Sequence, residues 1–341
     1  MKVLVAGAGG YIGIPLCHAL LDRGHDVVAL DRYFFGKDKM AVVAAEPGLT
    51  ILTDDIRAFD PKYLNSVDAV IDLAGLSNDL SAEIDPDMTQ SINCAGARRL
   101  ARLSKKAGVR RYVYSSSASV YGHGTRESLS EESECEPLTL YAQCKLRMEK
   151  YVAEIASPEF ETVIFRNGTV FGLAPRMRFD LAVNNMTMCA WKDNAIRVNG
   201  NGEQWRPFVH VKDVVRALIL GLEQPACDVA GEIFNVGSSK MNYQVRDLAQ
   251  LIVHAVPQAK VQRVPDNPDA RTYNVSFAKI EQRLGFEPSV PLHSGILEIK
   301  SALERKDVSP EDPTCYTLQW YRTLIDWHSR IKQVAMYGRI I

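Results

Sequence analysis

The sequence predicts an α/β protein: a doubly wound, parallel sheet flanked by helices, followed by a smaller C-terminal α/β lobe. Three observations carry this. An apolar run at 3–6 passes through Gly7, Gly10 and Gly13 straight into a helical pattern over 11–21; strand-like and helix-like stretches then alternate up to about residue 175; beyond that point the elements shorten and the alternation breaks down. Repeated strand–helix units with short connections build parallel sheets, whose ligands sit at the carboxyl ends of the strands. The reading therefore divides the chain into 1–175, a partly interleaved lobe over 176–310, and a C-terminal segment over 311–341. With 341 residues and 46% hydrophobic side chains, there is enough apolar material for one large core or two unequal lobes.

The first strand and its turn are the most informative stretch. Glycines at 7, 10 and 13 serve where a chain turns tightly, where backbone must approach a pyrophosphate, and where a helix lies close against a strand. The helix that follows, with Tyr11 and Ile12 at its start, offers free N–H groups and a positive dipole end to a phosphate. The second apolar run, 26–30, ends at Asp31. A carboxylate about 20 residues past such glycines can accept from both ribose hydroxyls of an adenosine and repels a 2′-phosphate, which favours NAD over NADP. This is a Rossmann-type dinucleotide signature. Arg32 is the one neighbour that leaves NADP open.

Further strands are expected at 49–53, 69–73, 111–115 and 162–165, with helices near 87–107 and 138–156. Their polar ends are the candidates for function: Asp54-Asp55-Ile56, Leu73-Ala74-Gly75-Leu76, Ser115-Ser116-Ser117 and Arg166-Asn167-Gly168-Thr169. Tyr141 and Lys145 stand four residues apart in a helical stretch and so share a face. A tyrosine near its ordinary pKa of about 10 is a poor base at neutral pH, but a nearby ammonium and a cationic nicotinamide ring both favour the phenolate. The serine-rich strand just before it brings hydroxyls to the same end of the sheet.

Past residue 175 the pattern gives a helix over 179–191, strands near 195–198 and 207–209, a helix over 211–223, a strand over 232–236 and a helix over 243–255. From 316 to 341, Leu318, Tyr321, Leu324, Ile325, Trp327, Ile331 and Val334 recur at three- and four-residue spacing. This is an amphipathic helix, expected to cover the core or a partner subunit.

Composition excludes several classes. Forty Lys plus Arg against 41 Asp plus Glu leave a formal net charge of only -1, with no global positive charge to draw in nucleic acid or an anionic membrane. Seven cysteines include no CxxC pair and no histidine at metal-ligand spacing, so no metal site is expected and the thiols read as those of a reducing cytosol. No apolar run reaches about 18 residues, and the first strand begins at once, with no room for a signal peptide.

In this ordered set the chain resembles the extended short-chain dehydrogenase/reductase family, and within it the NAD-dependent nucleotide-sugar epimerases and dehydratases, over residues 1 to 300. The glycine turn, Asp31, Asp54-Asp55-Ile56, Leu73-Ala74-Gly75, Asn93, the serine strand, Tyr141 and Lys145 all match in order. The resemblance implies that Asp55 and Ile56 flank the adenine, that Leu73, Ala74 and Gly75 line the pyrophosphate and ribose, and that Asn93 lies near the active-site backbone. It implies that Lys145 also binds the nicotinamide ribose and that Ser117 holds the reacting sugar hydroxyl. Asn184-Asn185-Met186 looks like the family's diphosphate contact, with Asn185 the better match. The segment from Gly200 to Val211 is similar to the family stretch whose arginine, here Arg206, pairs with the diphosphate; Arg271 is a second choice. His210 reads as a structural brace. Ser119 and Thr169 are expected against the sugar, Thr169 where the family often has Asn, and Pro207 replaces a common Asp.

The expected chemistry begins with oxidation of a sugar hydroxyl, most simply at carbon 4. Dehydratases of the family carry Asp-Glu directly after the serine, and decarboxylases usually keep the Glu; here those positions are Ala118 and Ser119. With no added acid or base, return of the hydride to the other face gives 4-epimerisation. Dehydration, reduction or epimerisation at another carbon on the same site is the alternative, with Cys94 or Cys144 as an unusual acid or base. A non-catalytic NAD-binding sensor or scaffold is a further one. By the same resemblance the protein is a homodimer through the helices near 87–107 and 138–156.

Overall fold

The computed structural model describes residues 1–122, 128–265, 272–337 and 339. In chain order the first half contains β1 (Lys2–Ala6), α1 (Gly13–Asp22), β2 (Asp26–Asp31), β3 (Leu49–Thr53), β4 (Ala69–Asp72), α2 (Asp79–Ala82), α3 (Pro86–Gln90), α4 (Ala97–Lys106), β5 (Arg111–Ser117), α5 (Leu140–Glu154) and β6 (Glu161–Asn167). The second half adds β7 (Thr169–Phe171), α6 (Ala182–Asp193), β8 (Ala195–Asn199), β9 (Trp205–His210), α7 (Val211–Glu223), α8 (Ala226–Val229) and β10 (Glu232–Val236). It ends with β11 (Asn242–Gln244), α9 (Val245–Ala255), β12 (Lys260–Val264), α10 (Ala278–Leu284), α11 (Leu292–Glu304) and α12 (Thr317–Val334).

Seven strands form one parallel sheet in the order β10-β6-β5-β4-β1-β2-β3. The order reverses between β1 and β4, which opens a crevice at the carboxyl ends of those strands. Because β4 and β6 are buried along their whole length, both faces must be apolar, and unbroken runs such as Ala69-Val70-Ile71 result. Helices α1 and α7 pack on one face through Ile14, Leu16, Leu20, Val214, Leu218 and Leu222. Helices α4 and α5 cover the other through Leu100, Leu103, Met148 and Val152.

Strand β10 joins the main sheet beside β6 although it follows much of the smaller lobe in sequence. That lobe has its own core, in which α6, α9 and α11 enclose Val183, Ile196, Phe208, Leu248, Ile252 and Ile296. It also holds a three-stranded sheet, β11-β9-β7, and the pair β12-β8. A brace joins the halves: the Tyr11 hydroxyl donates to the carbonyl of Gly172 at 2.5 Å and accepts from the amide of Asn184 at 3.2 Å.

Two stretches differ from the sequence reading. The helix expected over 87–107 is interrupted by a π-helical turn at Ser91–Gly96, between α3 and α4. The C-terminal helix buries only Thr317 and Tyr321, whereas Ile325, Trp327, Ile331 and Val334 are all more than 40% exposed. Its first turns alone lie on the body of the protein, so its apolar periodicity runs on past the surface that it covers. Among the described residues no helix is long and apolar enough to cross a membrane.

Candidate active site

A cavity of about 580 Å³ runs along the crevice from Gly7 and Asp31, past Ser117, Tyr141 and Lys145, to Arg206. At its first end the wall is main chain. Gly7 has a φ of 83°, and a Cβ there would stand 2.8–2.9 Å from the backbone of Leu73 and Ala74. A Cβ on Gly13 would meet the carbonyl oxygens of Gly7 and Ala8 at 2.2 and 2.6 Å. These two glycines let the turn, the strand end and the start of α1 close on one another. No side chain caps the N-terminus of α1 and no acid lies in its first turn, so its dipole end stays available to an anion.

Asp31 accepts from the backbone N–H of Gly9 at 3.0 Å and of Tyr33 at 2.7 Å. Burial pushes its pKa up, and those N–H donors act against the rise. Arg32 is tied to Asp55 at 2.9 Å and lies over the Phe34 ring, 4.8 Å from its centroid. The arginine that left NADP open is thus held by another carboxylate. Burial would raise the Asp55 pKa, but hydrogen bonds and charge from Arg57 and Arg32 outweigh it and hold the carboxyl far below the usual range. Ile56, Leu73, Ala74 and Gly75 line the same wall. Asn93 supports it from behind, accepting from Leu76 N–H at 2.8 Å and donating to the Leu76 carbonyl at 3.0 Å. The cradle, the uncapped helix and the acceptor at Asp31 fit a dinucleotide.

At the middle of the cavity, β5 supplies Ser117 and the start of α5 supplies Tyr141 and Lys145. Thr139 caps α5 by accepting from Ala142 N–H at 3.2 Å. The Lys145 ammonium donates to the carbonyl of Ser115 at 2.6 Å and stands 5.8 Å from the centroid of the Tyr141 ring. Burial pushes the Lys145 pKa down, opposed by the carboxylates of Asp72 and Glu149. Burial, then the charge of Asp79, pushes the Tyr141 phenol up; Arg178 and a hydrogen bond with Ser117 pull it the other way. One turn beyond Lys145, buried Glu149 pairs with Arg166 at 2.7 Å and accepts from the Ser116 hydroxyl at 2.5 Å. Arg166 also donates to Tyr121, which donates to Asn235. This network fixes β5, β6 and α5 relative to one another.

The far end is built from side chains. Ser119, Thr169 and Arg206 line it, and Arg206 donates to the Trp205 carbonyl at 2.7 Å with its guanidinium 5.2 Å from the Tyr273 ring centroid. The amide of Asn185 donates to the Phe179 carbonyl at 2.9 Å, and Asn185 does not reach the cavity wall; its neighbour Met186 does. Arg271 lies outside the described residues. His210 is fully buried and contacts Glu298 at 2.9 Å.

Arg176, Arg178, Asn78 and Asp79 are among the cavity residues that the sequence did not single out. Arg176 is 2% exposed, its Nη2 donates to Thr317 at 2.8 Å, and its guanidinium lies 3.6 Å from the Phe35 ring centroid. Its Nε has no hydrogen-bond partner among the described residues, and neither do Ser119 Oγ and Asn167 Oδ1 on the same wall. Arg178 pairs with Asp180 at 2.7 Å and donates to Ser77 at 3.2 Å. Asn78 holds φ 80° and ψ 159°, a conformation ordinarily left to glycine, and its side chain accepts from Ser81 N–H and donates to Asp180. Asp79 is hydrogen-bonded to the Thr139 hydroxyl. The dense Arg-Met-Arg-Phe-Asp run at 176–180 was the available signal, although its charges gave no direction on their own.

A Rossmann-type sheet carrying a dinucleotide cradle, with a serine, a tyrosine and a lysine at its centre, defines an NAD-linked enzyme of the extended short-chain dehydrogenase/reductase class. The chain belongs to the NAD dependent epimerase/dehydratase family, whose sequence pattern it matches over residues 3–237. It is 27% identical over 312 residues to an uncharacterized UDP-glucose epimerase of Bacillus subtilis, covering 87% of this chain and 96% of that one. It is 25% identical over 325 residues to UDP-glucuronic acid decarboxylase 1 of Arabidopsis thaliana, covering 92% and 72%. Among solved structures it is similar to MoeE5 in complex with UDP-glucuronic acid and NAD, with a TM-score of 0.80, 25% identity and coverage of 90% and 100%.

Proposed function

We propose that this protein is a 4-epimerase of nucleotide-diphosphate sugars, acting through a transient 4-keto sugar. One observation carries the reading: Ser117, Tyr141 and Lys145 are all present on the cavity wall, while the two positions after the serine are Ala118 and Ser119, neither of which carries a carboxyl group. The names of the similar proteins support UDP-glucose or UDP-glucuronate as substrates.

In this reading Gly7, Gly10, Tyr11, Ile12 and Gly13 hold the pyrophosphate of NAD with Arg176, Asp31 takes the adenosine ribose, Asp55 and Ile56 flank the adenine, and Leu73, Ala74 and Gly75 line the pyrophosphate and ribose. Bound NAD supplies a hydride acceptor and, on the return, a donor. Tyr141 takes the proton of the sugar hydroxyl, and Ser117 orients that oxygen by hydrogen bonding. The positive end of α5 and the Lys145 ammonium favour the phenolate against the burial that opposes it. Lys145 also binds the nicotinamide ribose. Ser119 and Thr169 face the sugar, and Arg206, with a fork suited to paired phosphate oxygens, takes the diphosphate. The same reading includes a homodimer through α4 and α5, which lie side by side, and a cytosolic location in keeping with seven free thiols.

Asp79 favours a second reading. It is a carboxylate on the cavity wall close enough to bias Tyr141, and it is a candidate acid or base for loss of water after the same oxidation. Incubating the purified protein, without added NAD, with UDP-glucose, UDP-N-acetylglucosamine and UDP-glucuronate tests both. The epimerase gives an isobaric product with an inverted carbon 4 by proton NMR; a product lighter by water supports the second reading; inertness toward every nucleotide sugar contradicts both.

A further inference from the structure

The segment from Asp312 to Tyr321 crosses the cofactor end of the cavity and is fastened on both sides. On the side that follows β2, the Trp320 indole N–H donates to the Phe34 carbonyl at 2.6 Å, and Asp312 pairs with Lys39 at 2.8 Å. The Tyr321 ring lies edge-on to Phe34 and tilted on Phe35, with centroids 5.9 and 5.4 Å apart. On the opposite side, Thr317 accepts from Arg176 at 2.8 Å, and the Cys315 carbonyl accepts from Phe179 N–H at 2.9 Å. Between these fastenings Leu318, Gln319 and Tyr321 line the cavity near Asp31 and Arg32. Thr317 and Tyr321 are the buried residues of α12, with Leu324 packed beside them, so the helix meets the body through its first turns.

We propose that residues 312–321 are part of the cofactor site: a strap over the adenosine half of the dinucleotide that keeps NAD bound from one turnover to the next. Thr317 also sets the Arg176 guanidinium against Phe35, so the strap and the cation facing the groove are held as one unit. The proposal rests on the epimerase reading, which makes retention useful. Such an enzyme must return the hydride to the substrate that gave it up, so a cofactor that escapes after the first transfer leaves the reaction half done.

The test is the exchange rate of bound dinucleotide, followed by loading the full-length protein with the fluorescent analogue 1,N6-etheno-NAD and chasing with excess NAD. Trp320→Ala removes the fastening on Phe34, and the expected result is exchange at least about 10-fold faster than the parent, with an unchanged KM for the nucleotide sugar. If the alanine variant loses its melting transition, Trp320→Phe, which keeps a six-membered ring and removes the N–H together with the rest of the pyrrole ring, carries the test with a smaller rise of about threefold. Exchange within the experimental error of the parent in the folded variant overturns the strap. Because exchange is read on the dinucleotide itself, faster exchange in a protein inert toward nucleotide sugars overturns the reaction and leaves the strap standing. Unchanged exchange in an active epimerase does the reverse.

Discussion

At one end of the cavity, Gly7, Gly13 and the uncapped start of α1 present backbone to the cavity, and the carboxylate of Asp31 is held by two N–H groups. At the other end, Ser119, Thr169, Arg206, Arg178 and Asn78 come from separate loops and strands, and Arg178 and Asn78 are oriented by partners far away in sequence, Ser77 and Asp180. The first end depends on chain geometry, which few residue types satisfy and which therefore leaves a fixed spacing in the sequence. The second depends on tertiary placement of common polar residues.

Several changes break this comparison where it is sharpest. The largest effect is expected where the two ends meet: Tyr141→Phe deletes the proposed proton acceptor and is expected to lower kcat by about 10²- to 10⁴-fold while leaving the dinucleotide bound, read by turnover and by the NAD content of the denatured protein. Behind that junction, Arg166→Met leaves Glu149 as an unpaired charge only 2% exposed. The expected loss is about 3–5 kcal/mol in urea unfolding, with much of it recovered by adding Glu149→Leu. On the backbone wall, Gly13→Ala puts a methyl group against two carbonyl oxygens. It is expected to destabilise by about 1–3 kcal/mol and to strip the protein of NAD, whereas Arg206→Met raises the KM for the nucleotide sugar and leaves NAD in place.

The smallest effect sharpens the electrostatics of the junction. The negative charge of Asp79 raises the Tyr141 pKa, so the phenolate proposed to accept the proton forms at higher pH than it otherwise would. Asp79→Asn keeps an acceptor for Thr139 and removes the charge. The acidic limb of the kcat/KM profile is then expected to move to lower pH by up to about one unit. A limb that stays in place removes Asp79 from the electrostatics of the base.

The same contrast accounts for what was legible in the sequence. The strand–glycine–helix turn, Asp31 and the Tyr141–Lys145 spacing were readable because each is local, set within one turn or one helix. That the serine strand ends beside Tyr141 was readable from the strand–helix order, whereas the choice of Ser117 among its serines was readable only through the resemblance. Arg176 and Arg178 were missed because charged residues in a loop look alike until Phe35, Thr317 and Asp180 surround them. Asn185 was placed by its motif toward the ligand, yet its amide is spent on the Phe179 carbonyl. In the C-terminal helix the apolar spacing was visible, but which of its turns meets the body depends on the length of the groove that it crosses.

The central claim, oxidation and re-reduction at one carbon with no step that uses a second acid or base, is tested most directly with UDP-glucose or UDP-glucuronate deuterated at carbon 4, followed by NMR and mass spectrometry in ordinary water. The account predicts an isobaric 4-epimer with the deuterium retained at carbon 4 and no solvent hydrogen gained at carbon 3 or 5. Loss of the label, exchange at a neighbouring carbon, or a product lighter by water or carbon dioxide would contradict it.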